Sequence, residues 1–96
     1  MNTYIITRIT DKAGQPCATL PQTKQLMRRV CFIRPPAAGQ SLMAYYVSDV
    51  PGELLRIPHV AAVRPLVPDG AVVETADSVY VFEPADQLSV LLRLAE

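Results

Sequence analysis

The 96-residue chain contains no tryptophan, a single histidine, two cysteines and four glycines, and its nine basic residues are cancelled by nine acidic ones. Each scarcity removes a class of function. His59 stands alone after Pro58, so no histidine pair offers metal-ligand spacing, and an imidazole relay would have only one member. Cys17 and Cys31 lie far apart with no CxxC between them, which excludes zinc-ribbon and thioredoxin-type pairs. The glycines at 14, 39, 52 and 70 are scattered beside turn residues, so neither GxGxxG nor a GK[ST] run exists to cradle phosphate. No metal and no cofactor is expected. Every apolar run is broken by Arg or Pro far short of the ~20 residues that a helical membrane span requires. The first residues, Met-Asn-Thr-Tyr-Ile-Ile-Thr-Arg, lack a basic segment followed by an apolar stretch. The expectation is therefore a cytoplasmic protein whose two cysteines are thiols.

Half of the residues are apolar and the mean hydropathy is +0.20, too apolar for a disordered chain. The length suits one domain, spanning residues 1–96, with one compact core. Charge is distributed unevenly. Residues 1–40 carry six basic groups against the single acid Asp11, whereas residues 41–96 carry three against eight, giving +5 and −5. In a small domain such halves interleave, so folding decides whether the asymmetry reaches the surface.

Residues 3–10 are β-branched and aromatic and read as a strand, with Ile5, Thr7 and Ile9 on one face and Tyr4, Ile6 and Arg8 on the other. Asp11 to Pro16 supply turn chemistry. Thr19-Leu20-Pro21-Gln22 resembles a capping box ahead of a short helix over Lys24–Arg29, with Leu26, Met27 and Val30 inward. Arg29–Arg34 reads as a second strand stopped by Pro35-Pro36, and Ser41–Val47 as a third, apolar on both faces. Val60–Val67, Ala71–Thr75 and Ser78–Phe82 form an antiparallel meander turning at Pro68-Asp69-Gly70 and Ala76-Asp77. Within it Val79 and Val81 face one way and Tyr80 and Phe82 the other.

From Pro84 the pattern changes. Leu88, Leu91, Leu92 and Ala95 recur at helical spacing, and Val90 and Leu94 widen that stripe beyond one packing face. The fold expected is mainly β: a small antiparallel, partly open β-barrel, SH3-like or similar in strand count and length, with a C-terminal α-helix. Such folds host unrelated functions, so the fold alone names none.

Three functions are weighed. The first is a non-enzymatic protein–protein interaction or regulatory module, whose partner is another protein or a second copy in a homodimer. Arginine outnumbers lysine seven to two, and Arg and Tyr are the residues that carry interface energy. Its candidate contacts are Arg28, Arg29, Arg34, Tyr45, Arg56 and Tyr80, with Val90 and Leu94 for self-association. The second is a single-stranded nucleic-acid binder using the basic segment 24–34, with phosphates on arginines and bases stacked on tyrosines. The neutral charge and a pI near 6.6 weigh against it. A small enzyme ranks third, because it would need His59 to share a concave pocket with a cysteine or a carboxylate.

Overall fold

The computed structural model describes residues 2–16, 19–48, 51–67 and 69–85. The expected C-terminal helix, with Val90 and Leu94, lies outside the described residues. Pro84, expected to open that helix, is the last residue of a strand.

Seven strands and one short helix are described. They run β1 (Tyr4–Asp11), α1 (Leu20–Gln25), β2 (Arg29–Phe32), β3 (Leu42–Tyr46), β4 (Leu54–Ile57), β5 (Ala62–Leu66), β6 (Gly70–Glu74) and β7 (Ser78–Pro84). All seven belong to one antiparallel sheet of order β4-β3-β2-β1-β7-β6-β5. The first and last strands pair in the middle, and the two edges are consecutive in sequence. The sheet is not closed, because β4 and β5 do not pair.

That strand order forces the sheet to bend. Four residues, 58–61, join the end of β4 to the start of β5, and such a link spans at most about 18 Å when extended. Seven strands laid flat would hold their edges roughly 29 Å apart at ~4.8 Å per spacing. The link itself makes the corner. Val60 exchanges backbone hydrogen bonds with Gly39 and Gln40 on the β3 side, and the next residue, Ala61, donates to Glu74 of β6 at 2.7 Å. His59 immediately before them takes a left-handed backbone, φ 56°, a conformation in which His is enriched among non-glycine residues.

The concave side holds a single core. Ile6, Ile9, Val30, Leu42, Leu55, Ile57, Val60, Val73, Tyr80 and Phe82 form one buried cluster drawn from both halves of the sheet. Phe82, fully buried, meets Phe32 edge-on with ring centroids 5.1 Å apart, and Phe32 meets Tyr4 at 4.8 Å. Apolar burial and aromatic contact hold the two halves together where no ladder does.

Two local expectations are corrected. Ile6 and Ile9 are both buried, which simple alternation forbids. A β-bulge explains it: Ile6 pairs with Phe82 and Arg8 with Val81, so Thr7 is an extra residue and the strand re-phases around it. The helix also starts earlier than expected. Pro21 suits its first turn, and it ends at Gln25 because Leu26 is extended and Met27 is left-handed, φ 63°. Met27 then donates to the Ile6 carbonyl at 2.7 Å, so competition from β1 ends the helix. The β6–β7 turn follows expectation, with Thr75 Oγ1 accepting from the backbone N–H groups of Asp77 and Ser78.

Candidate functional site

The pairing register places a set of side chains on the convex face of β2, β3 and β4. Cys31 lies opposite Tyr45, and Tyr45 opposite Leu54; one row further on, Met43 lies opposite Arg56. Ile33, just past β2, keeps the same register by donating to the Met43 carbonyl at 3.0 Å, and Val47 donates to the Arg29 carbonyl at 2.9 Å. The result is a grid in which Arg29, Cys31 and Ile33 flank Val47, Tyr45 and Met43, which flank Leu54 and Arg56. Alternation puts the intervening residues Val30, Phe32, Ala44 and Leu55 on the concave side.

This face is apolar and open. Tyr45 is 51% exposed, Val47 49%, Leu54 46% and Ile33 46%. Single exposed apolar residues are ordinary, but four on neighbouring positions of one grid are not. Its charges have one sign among the described residues: Arg29 and Arg56 are exposed on the grid and no described carboxylate belongs to it. Arg34 stands in the loop after β2, where its Nη2 donates to the Ser41 carbonyl at 3.4 Å.

The six candidate contacts separate. Arg29, Tyr45 and Arg56 come together on the convex face, with Arg34 beyond its end. Arg28 and Tyr80 do not. Tyr80 is 9% exposed and belongs to the core. Arg28 turns to the concave side, where its guanidinium forms a two-pronged hydrogen bond with Glu53 at 2.6 and 3.1 Å and lies 3.7 Å above the centre of the Tyr46 ring. Those hydrogen bonds hold the Glu53 carboxyl below the ordinary carboxylate range, against a smaller opposing effect of burial. Burial is the main cause that pushes the Tyr46 phenol up, and the neighbouring Arg28 charge partly reverses it.

The sequence reading missed Ile33, Met43, Val47 and Leu54 as site residues, and left β4 unassigned. A signal was present. Leu54-Leu55-Arg56-Ile57 is a short extended run fenced by Pro51-Gly52 and Pro58.

Of the clefts that the described residues outline, two hold Cys31 or His59. One, of about 440 Å³, is lined by Tyr4, Cys31, Phe32, Arg34 and Asp69 among others. The second, of about 330 Å³, is lined by His59, Thr75, Asp77, Ser78 and Tyr80. His59 and a carboxylate thus share a wall, as the enzyme reading requires. The Ser78 hydroxyl there accepts from Gln22 Nε2 at 3.1 Å, which ties it to α1. Among the described residues no three His, Cys, Asp or Glu side chains converge as metal ligands, and no helix is long and apolar enough to cross a membrane. No family model, no curated protein and no solved structure matches the chain.

Proposed function

We propose that this chain is a non-enzymatic protein-interaction domain that docks through the convex face of β2, β3 and β4. Its curled sheet serves as a small, partly open SH3-like barrel whose core fixes the register of that face. The observation that carries the reading is the contiguous exposure of Ile33, Tyr45, Val47 and Leu54 between Arg29 and Arg56. An apolar, aromatic centre with arginines at its margin is the composition of interface hot spots. Convex rather than concave, the surface suits a macromolecule better than a small substrate.

The nucleic-acid reading has less support. It draws on Arg28, and Arg28 is already engaged by Glu53 and Tyr46.

The test is capture of partners by the tagged protein from its host lysate, treated with nuclease, in wild type and in Tyr45→Asp. The variant must first be shown to fold by circular dichroism. A protein that survives nuclease and is lost only with Tyr45→Asp supports the reading. Partners that vanish with nuclease would transfer the function to nucleic acid, and partners indifferent to Tyr45→Asp would move the interface elsewhere.

A further inference from the structure

The two edges of the sheet differ in a way that bears on what docks. At β5 the chain carries Pro65 inside the strand, and proline offers no ladder donor and blocks a neighbouring strand. β4 carries no proline and no lysine. The phase of its ladder is set by Tyr46 donating to the Glu53 carbonyl at 3.0 Å. Because hydrogen-bonded pairs alternate along an antiparallel ladder, Glu53 and Leu55 turn their backbone groups toward β3. Leu54 and Arg56 therefore turn theirs away from it, and among the described residues β4 is the end of the sheet. The side chains of those same two residues are exposed on the convex face, next to Tyr45 and Met43.

Backbone donors and acceptors, an apolar contact and a cation thus coincide at one strand. We infer that β4 receives an extended, acidic segment of a partner protein by strand addition. This rests on the proposed interaction face and names the chemistry of its ligand. The incoming backbone pairs with Leu54 and Arg56. Side chains on its outer face alternate with those hidden beneath, so one residue sits beside Leu54 and the next but one beside Arg56. The first is apolar and continues the surface of Tyr45. The second is a carboxylate, because Arg56, at the open edge, meets no acid among the described residues of the grid. A second copy is the poorer occupant: among the described residues its own grid brings arginines and no carboxylate to the same margin.

The probe is a blocked, threonine-rich hexapeptide with valine at its second position and glutamate at its fourth and sixth. Titration is followed calorimetrically and by amide NMR of the full chain at low salt. The expected result is binding that perturbs the Leu54 and Arg56 amides and weakens as salt rises. Replacing both glutamates by lysine, or introducing Arg56→Glu into the protein, weakens it by about tenfold or more. N-methylation of the peptide's alternate amides, which removes ladder donors and keeps every side chain, does the same.

Absence of binding at millimolar peptide overturns the inference. So does equal binding of the N-methylated or the lysine peptide. A wild-type dimer in sedimentation that Leu54→Asp converts to a folded monomer overturns it in favour of a second copy. The interaction reading is judged separately, since the Tyr45→Asp capture requires a partner on the face but no backbone pairing.

Discussion

Arg28 and Glu53 clasp each other beside Tyr46: the guanidinium reaches both carboxylate oxygens, at 2.6 and 3.1 Å, while its central carbon lies 3.7 Å from the centre of the Tyr46 ring. The clasp joins the segment after α1 to the start of β4, and Ser48 Oγ adds a longer contact to the same carboxylate at 3.4 Å. It takes one of the three arginines of the segment 24–34 out of the candidate surface. It also makes stability depend on acid. The folded carboxyl of Glu53 titrates below its unfolded value, so its contribution is complete above the ordinary carboxylate range. That contribution is lost as pH falls through the range toward the lowered folded value.

Urea unfolding of wild type and Glu53→Gln as a function of pH checks this. At neutral pH the variant is expected to unfold at lower urea, and the two curves are expected to converge as the solution becomes acidic. Curves that stay parallel throughout would assign the clasp no part in the pH response.

Gly70 opens β6 at a place where side chains have no room. A Cβ there would approach the Phe82 carbonyl oxygen to 2.5 Å, and two Leu66 carbons to 3.2 Å. The backbone of β7 cannot yield without disturbing the Ala71–Phe82 pair beside it. Gly70→Ala is expected to lower stability by about 1–3 kcal/mol, the usual cost of overpacking. Thermal unfolding gives the measurement, and an unchanged midpoint would contradict the close approach.

Phe82 and Tyr45 are both strand aromatics, yet their truncations should differ sharply. Phe82 is fully buried between the sheet halves, so Phe82→Ala is expected to cost about 3–5 kcal/mol. Tyr45 is half exposed on the convex face, and Tyr45→Ala is expected to change stability by about 0.5 kcal/mol. Comparable losses from the two would mean that Tyr45 belongs to the core and the proposed docking face does not exist.

Thr7 is the extra residue of the β1 bulge, and its removal leaves a sequence whose alternation is regular. Tyr4, Ile6 and Ile9 then all face inward, with Ile9 still opposite Tyr80. A Thr7 deletion is therefore expected to fold and to retain the Ile9–Tyr80 cross-strand contacts, which NMR detects directly. Loss of those contacts would show that the bend made by the bulge is needed to curl the sheet.

The same bulge shows where sequence reading stops. Tyr4–Asp11 is legible as a strand because β-branched residues and the Asp11 turn act locally. Its facing is not, since the bulge exists only against β7, more than sixty residues away in the chain. The β6–β7 meander was legible to its faces, with Tyr80 and Phe82 buried and Val79 and Val81 partly exposed, because its turns are short and its alternation unbroken. β4 was not recognised: four residues carry too little periodicity to stand out from the turns around them. Of the candidate contacts, Arg29, Tyr45 and Arg56 share a surface only because the register of β2, β3 and β4 brings them there.

By itself, then, the sequence determined the β character of the chain, most of its strand and turn positions, and the lack of any spaced metal-ligand or phosphate-binding motif. These follow from side-chain type and near-neighbour spacing, which act over a few residues. The tertiary structure decided the strand order, the facing of β1, the removal of Arg28 into a clasp and the apolar face with its open edge. All four depend on which distant strands pair, and pairing is selected by burial of one shared core that no local stretch contains.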